Sequence, residues 1–452
     1  VPVINGTATD NEALAGIEYS VDGGVNWLQV DNDKGLGTKN ATFSFKPLNL
    51  EDGNYPIIVR AIDTSRNIGL SDKKILVIDR LPPQVGGSNI SAGPQIFQPN
   101  EDGVTYSLVG VDQKITFSAV GGATQIIIDA KGVFAKDPSK TFNLTKSPDT
   151  GLWSGIISFD KAGEYILTAN SVDGAGNKTA KVVSTVQALQ PGRIISKNQP
   201  LKDAEVVLYY QEPTTNTWTV WDGASYGQTN PQKTDAQGQF NLFVPPGKYY
   251  LKADAKNHRT LISNIFETKE TMPILSSLSM KESRSFKVAN KTFHIPSLLS
   301  DTAELKPPRL PLLHFIKPSP IVNKQISDFT LQDLNGQAVR SIDFSGKPTV
   351  ITFISSWSPS AKEQLAVLSK LQADKKYNII PIVGQEGSGR IKPIISISGI
   401  PLDVLTDPDG TAVDLFGVQS LPVSYIIDKH GLVKKVMVGV LSKEKIINAL
   451  GD

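Results

Sequence analysis

Through most of the chain apolar and polar positions alternate in short runs closed by Gly, Asp, Asn and Pro, the period of half-buried strands joined by tight turns. Tyr55-Pro-Ile-Ile-Val-Arg-Ala-Ile62 and Tyr165-Ile-Leu-Thr-Ala-Asn-Ser-Val172 are two such strands. Each runs into an Asp-x-x-x-Asn turn, whose short side chains bond local backbone. Gly53, Tyr55, Asp63 and Asn67 recur as Gly163, Tyr165, Asp173 and Asn177, a constant offset of 110 that predicts two sheet domains of one kind. A third β unit is predicted from Pro200–Tyr209, Thr234–Phe240 and Pro246–Leu251. Only after residue 326 does the period change. Strand Thr349–Phe353, a helix with Leu365, Leu368 and Leu371 on one face, and strand Tyr377–Val383 then call for a central sheet with helices.

Pro82-Pro83 and Gln190-Pro191-Gly192 punctuate the chain where sheet domains should end. Pro307, Pro308, Pro311, Pro318 and Pro320 crowd one stretch and predict an extended, semi-rigid connector. The expected architecture is multidomain: three all-β sandwich units (1–82, 83–190, 191–280), a Pro-rich connector (281–325) and an α/β domain (326–452).

A chain of 452 residues is too long for one core, as the domain count requires. Basic exceed acidic residues by 46 − 44 = 2, so no net field draws in nucleic acid or an anionic membrane. No apolar run approaches the roughly 18–20 residues of a spanning helix. The chain opens inside a strand-like segment, Val1–Thr7, as a mature or trimmed fragment would. There are no cysteines, which removes disulfides, thiolate metal sites and thiol catalysis together.

Ile17-Glu-Tyr-Ser-Val-Asp-Gly-Gly-Val-Asn-Trp27, with a tight turn and a buried-type Trp, resembles bacterial immunoglobulin-like repeats. Phe97-Gln-Pro-Asn-Glu-Asp-Gly103 and Gly151-Leu-Trp-Ser-Gly155 resemble immunoglobulin-like domains of secreted proteins. The third unit is similar to the prealbumin-like, carboxypeptidase-regulatory-like domain. The last is identified as redoxin- or thioredoxin-like by four segments: Ser327–Gly336, Phe353–Gln364, Leu405–Gly410 and Ser420–Gly431. Trp357, Pro359 and the cis-proline-type Pro422 stand where that family's motif has them. The resemblance implies a strand delivering two thiols onto a helix N-terminus, which lowers the first thiol's pKa. Here Ser358 and Ala361 hold those two positions, through natural loss or through replacement. A serine hydroxyl is barely ionised at neutral pH and cannot serve as the thiolate. The domain is therefore expected to be redox-inert, and no cofactor is expected.

Calcium is a weaker possibility at the oxygen-rich turns holding Asp31, Asp33, Asn100 and Asp102, but the twelfth position counted from Asp31 is Thr42 rather than an acid. The four histidines form no ligand pair, and Gly387-Ser-Gly389 lacks the spacing of a phosphate loop. Trp218, Trp221 and Tyr226 are candidate binding aromatics for a glycan or a neighbouring subunit. Six Asn-x-Ser/Thr sequons, among them Asn89, point weakly to surface positions. The expectation is a non-enzymatic extracellular or cell-surface structural protein. Its partners would be further copies of itself or other envelope proteins, as in an appendage or surface layer. The alternatives are an extracytoplasmic thiol-disulfide oxidoreductase on the periplasmic side whose cysteines were replaced, and an adhesin or glycan-binding protein.

Overall fold

Alternation of apolar and polar residues is realised as sheet in a computed structural model that describes all residues except 94, 98, 101–102, 134–138, 269–270, 289–290, 295–299, 306–320, 374, 400 and 452. Asp102 and the clustered prolines 307–320 lie outside the described residues. The chain divides into two units: Val1–Pro82 with Asp173–Lys178, and Pro83–Val172 with Thr179–Asp452.

In the first unit, one sheet places Asn40–Phe45 between Ile4–Thr9 and Asn32–Lys34, and another is built around Leu14–Ser20 and Gly53–Asp63. Leu14, Ile17, Tyr19, Val30, Ala41, Phe45 and Ile57 form its core. The Asp22 turn forms as its residues dictate: the carboxylate accepts from the backbone N–H groups of Val25 and Asn26, both at 2.9 Å. Trp27 differs from expectation. It is half-buried under the Arg60 guanidinium, 4.3 Å from the ring centre, and Arg60 is in turn paired with Glu18. The Asp-x-x-x-Asn turn closes identically in both repeats, with Asp63 and Asp173 each accepting the backbone N–H and the side-chain amide of the Asn four residues on.

The second unit holds three core regions that matter here. Two five-stranded sheets enclose the first, which includes Phe117, Ile128, Trp153, Leu167 and Val186. One of those sheets has Gln84–Ala92 next to its edge, between Gln113–Val120 and the short Gln95–Phe97 strand. That short strand covers only Ile90, Ser91 and Ala92. Residues 84–89 are therefore left with one side of their backbone free of it.

A seven-stranded sheet around Glu205–Gln211 and Gly247–Asp254 forms most of the next region. It continues past the expected boundary at residue 280. Asp301–Ala303 pairs in parallel with Leu261–Ser263, and Leu305 is buried in the same core, so the first part of the expected connector is sheet.

The C-terminal region has the strand order Ala338–Arg340, Thr330–Asp333, Leu405–Asp407, Asn378–Gly384, Thr349–Ile354, Val423–Ile427, Val433–Val438. Every residue of the central Thr349–Ile354 strand is buried, its two threonines included, as in a strand covered on both faces. Helix α1, Pro359–Gln372, packs Leu365, Leu368 and Leu371 against one face with no exposure at all. The strand and helix expected from periodicity are both present.

Candidate functional site

The chain between the Thr349–Ile354 strand and α1 is a tight corner. Ser358 is the helix N-cap and Pro359 the first helical residue, a position that suits proline because its absent N–H would be unpaired there anyway. An N-cap serine ordinarily accepts from the N–H groups of the first turn. The Ser358 side chain makes no such bond. Its hydroxyl lies instead 2.7 Å from Ser360 Oγ and 2.8 Å from the side-chain amide of Asn89.

Donor and acceptor roles follow from what surrounds that amide. With its oxygen toward Ser358, the Asn89 nitrogen donates to the Leu421 carbonyl at 2.8 Å and the Ser88 carbonyl at 3.2 Å; the reverse orientation would set oxygen against both carbonyls. The polar chain therefore runs Ser360 Oγ–H to Ser358 Oγ–H to Asn89 to the Leu421 carbonyl. Leu421 precedes Pro422 through a cis peptide bond. One amide side chain thus ties the degenerate motif to the proline loop.

Backbone contacts reinforce the link. Ser88 N–H donates to the Gln419 carbonyl at 2.9 Å, and Ser88 pairs in parallel with Ser420. The loop takes up the edge that Gln95–Phe97 leaves open. Close approach requires glycine here: a Cβ on Gly87 would stand 2.7 Å from Leu421 Cγ and 3.2 Å from Val418 Cγ1. Beside this contact Ser118 Oγ donates to Gln385 Oε1 at 2.8 Å, and Gln385 Nε2 donates to the Gln84 carbonyl at 3.3 Å. Lys181 pairs with Asp414 at 2.8 Å on the rim.

Burial completes the picture. Ser358 is 5% exposed and Ala361 3%, while Trp357 is partly buried against the core. Glu386 sits beside them, accepting from the Ser356 N–H at 2.9 Å and from the Ser356 hydroxyl. Burial raises its pKa above the usual carboxylate range against the opposing pull of those two hydrogen bonds and of Arg390. Burial raises that of Asp407 as well, although helix-start N–H groups, Val413 N at 2.9 Å among them, oppose the rise.

The other candidates separate. Asp31 Oδ2 accepts from the Lys46 N–H at 2.6 Å, just past the Asn40–Phe45 strand, and Asn100 Oδ1 accepts from the Val104 N–H at 3.0 Å within its own turn, so each carries a structural bond. Asp33 is exposed on a short strand. Among the described residues no three acidic or histidine side chains gather as a metal site. Trp221 is a correction: it is 4% exposed, belongs to the core and stacks on Tyr226 at 5.4 Å. A chain turning inward at Trp221 buries the ring, whereas Trp218 stays half-exposed on the sheet, edge-on to Tyr250, which stacks on Tyr209 at 4.7 Å. Asn89 is a second correction, a sequon residue that is 8% exposed and holds the centre of the site. Sequence reasoning passed over it. The available signal was Gly86-Gly87 inside a strand pattern, which marks close approach by another element.

Residues 322–436 match the AhpC/TSA family. The thiol-disulfide oxidoreductase ResA of Geobacillus thermodenitrificans is 26% identical over 128 residues, 28% of this chain and 74% of the relative. The thioredoxin-like protein YneN of Bacillus subtilis is 22% identical over 128 residues, 27% and 75% of the two chains. Among solved structures, the exposed lipoprotein thioredoxin Etrx1 of Streptococcus pneumoniae is 26% identical, covering 28% of this chain and 98% of its own, with a TM-score of 0.26. The C-terminal domain is redoxin- and thioredoxin-like.

Proposed function

We propose that this chain is a non-enzymatic structural and interaction protein acting outside the cytoplasm, in which the redoxin-like domain is a docking module. One observation carries the reading: the two positions where a dithiol would react hold Ser358 and Ala361, and the first is buried under Asn89. Dithiol exchange needs an attacking thiolate and access to it. Neither is provided. The resemblance of the first three units to domains of secreted proteins supports a site of action at the cell surface or in the envelope.

Association with further copies is part of the proposal. Ile62 faces Ile68 and Pro56 faces Ile75 on the outer side of the first unit's sheet. Ile68, Leu70, Ile75 and Val77 are each more than half exposed there. At the repeat offset, Ile68 and Leu70 become Lys178 and Ala180, so the second copy is more polar at those places. Contiguous apolar surface of this kind marks contact with another protein.

The oxidoreductase reading is favoured by the match to ResA and places Cys at 358 and 361 in an ancestral or natural chain. The natural gene's codons at 358 and 361 separate the two, with Ser and Ala expected and Cys at both counting for the oxidoreductase; insulin reduction by dithiothreitol tests whether the chain itself turns over. The chain as it stands should give the uncatalysed rate, and turnover above it would overturn the proposal. Electron microscopy across a concentration series tests assembly, with ordered filaments or sheets expected and dispersed monomers at every concentration counting against it.

A further inference from the structure

The first two sheet domains repeat at an offset of 110, yet they differ at one sheet edge. In the second copy Val104–Leu108 pairs in parallel with Thr185–Leu189 and covers the edge of that sheet. The same place in the first unit falls on Lys74–Ile78, which pairs with Gly53–Asp63 and with no other strand of that unit. The Pro56 carbonyl accepts from the Gly23 N–H at 3.0 Å, on the side away from Lys74–Ile78. The backbone groups of Ile75, which stands opposite Pro56, therefore point outward, and with a period of two so do those of Val77. Leu76 is half-buried, whereas Val186 at the equivalent position has no exposure at all. An edge left open is ordinarily blunted by a central charge or a proline. Here the charges stand at the ends, in Asp72-Lys73-Lys74 and Asp79-Arg80, around an apolar Ile75-Leu76-Val77-Ile78. The covered second copy has none of this: the equivalents of Lys73, Ile75, Val77 and Asp79 are Val183, Thr185, Gln187 and Leu189.

We infer that Lys74–Ile78 is a self-pairing edge, which adds antiparallel to the same strand of a second copy about a two-fold axis at Leu76. The charge pattern selects that arrangement. About Leu76, Ile75 stands opposite Val77 of the second copy, Lys73 opposite Asp79 and Asp72 opposite Arg80, and symmetry makes each pair twice. Arg80 is already held by Asp52 at 2.8 Å, so Lys73 and Asp79 carry the recognition. Centring the pair on Val77 instead sets Lys74 against Arg80, and centring it on Ile75 sets Lys73 against Val77. A parallel in-register pair stacks Lys73 on Lys73 and Lys74 on Lys74, and like charges directly opposite are destabilising. A slip by one residue turns the apolar set to the wrong face. The inference rests on the association reading and deepens it by naming the strand, its partner and its register. A two-fold contact closes on itself, so it supplies one joint of a larger assembly.

Sedimentation of the full chain across a concentration series tests this. Lys73→Asp sets an acid against Asp79, and Asp79→Lys sets a base against Lys73. Each variant alone should dissociate at least about tenfold more readily than the parent chain, with far-ultraviolet circular dichroism unchanged. Mixed in equal amounts, the two variants are complementary at both pairs, and association of parental strength should return. A second readout uses a chain that has no other cysteine. Leu76→Cys places a thiol on the axis, facing its own copy across a Cα separation of about 4.5 Å, within disulfide reach, so mild oxidation should link two chains. Ile75→Cys, which faces Val77 instead, should stay unlinked. Association that survives both charge variants, a mixture no stronger than either variant, or Leu76→Cys that oxidises no faster than Ile75→Cys would each overturn the edge and leave the association reading standing. Monomers of the parent chain at every concentration would overturn both. A strand of another polypeptide found on Lys74–Ile78 in place of a second copy would overturn the self-pairing.

Discussion

Asn89 and Ser358 are 269 positions apart in the chain and 2.8 Å apart in space, with one hydrogen bond joining a sheet domain to the motif corner of another domain. That bond is buried on both sides. Removing one partner leaves polar atoms without water to replace it.

Asn89→Ala strands the Leu421 carbonyl and leaves the Ser358 hydroxyl with Ser360 alone, and a buried group left unpaired costs about 1–3 kcal/mol. Chemical denaturation of the full chain should show a loss of that size. A cycle with Ser358→Ala should give a coupling of roughly 0.5–3 kcal/mol, as for residues in direct contact. Additive effects would mean that the two do not share a bond in solution.

Restoring sulfur with Ser358→Cys and Ala361→Cys should yield a dithiol that stays slow toward insulin, because the strand still covers it. Combining the pair with Gly87→Val should raise the rate. Equal rates in the two backgrounds would show that burial under Asn89 is no barrier.

Glu386 gives a pH signature of definite sign. Its folded pKa lies above the ordinary value of 4.5, so the folded chain holds the proton to higher pH than the unfolded chain does. Well below that value both states are protonated and the group is silent. As pH rises from about 4.5, the unfolded state ionises first and the folded state loses stability relative to it, until the folded group ionises too. Glu386→Gln keeps the Ser356 contacts and removes this loss. Its stability difference from the parent chain should grow in its favour as pH rises and then level off; a flat difference would mean an unshifted carboxyl.

Trp221→Ala empties a core position and should cost about 3–5 kcal/mol, whereas Trp218→Ala, on a half-exposed face, should cost below about 1.5 kcal/mol. If glycan arrays respond to Trp218→Ala and not to conservative changes elsewhere on that sheet, the adhesin reading regains ground.

Much of the α/β domain was legible because its signals are local. The β-branched and apolar Thr349–Ile354 run, the leucine spacing of α1 and the Leu421-Pro422-Val423 loop each declare themselves within a few residues. The Asp-x-x-x-Asn turns were legible for the same reason, since both partners sit four positions apart. Trp221 was misread because alternation in a short strand cannot reveal where the chain turns inward. Trp27 looked like core because an aromatic after a tight turn is often buried, and nothing local announced Arg60 waiting above the ring. Asn89 was invisible as a site residue: its partners come from segments far along the chain, and only the paired glycines before it hinted at close company.

The wide separation of Asn89 from Ser358 also orders events on the ribosome. At about 5–20 residues per second, 269 residues take roughly 13–54 s to appear, so Gly86–Asn89 emerges long before anything exists to receive it. During that interval the nascent sheet carries an open edge of the kind that recruits stray strands. Early closure of the sheet domain, or a chaperone, has to cover that segment through the interval.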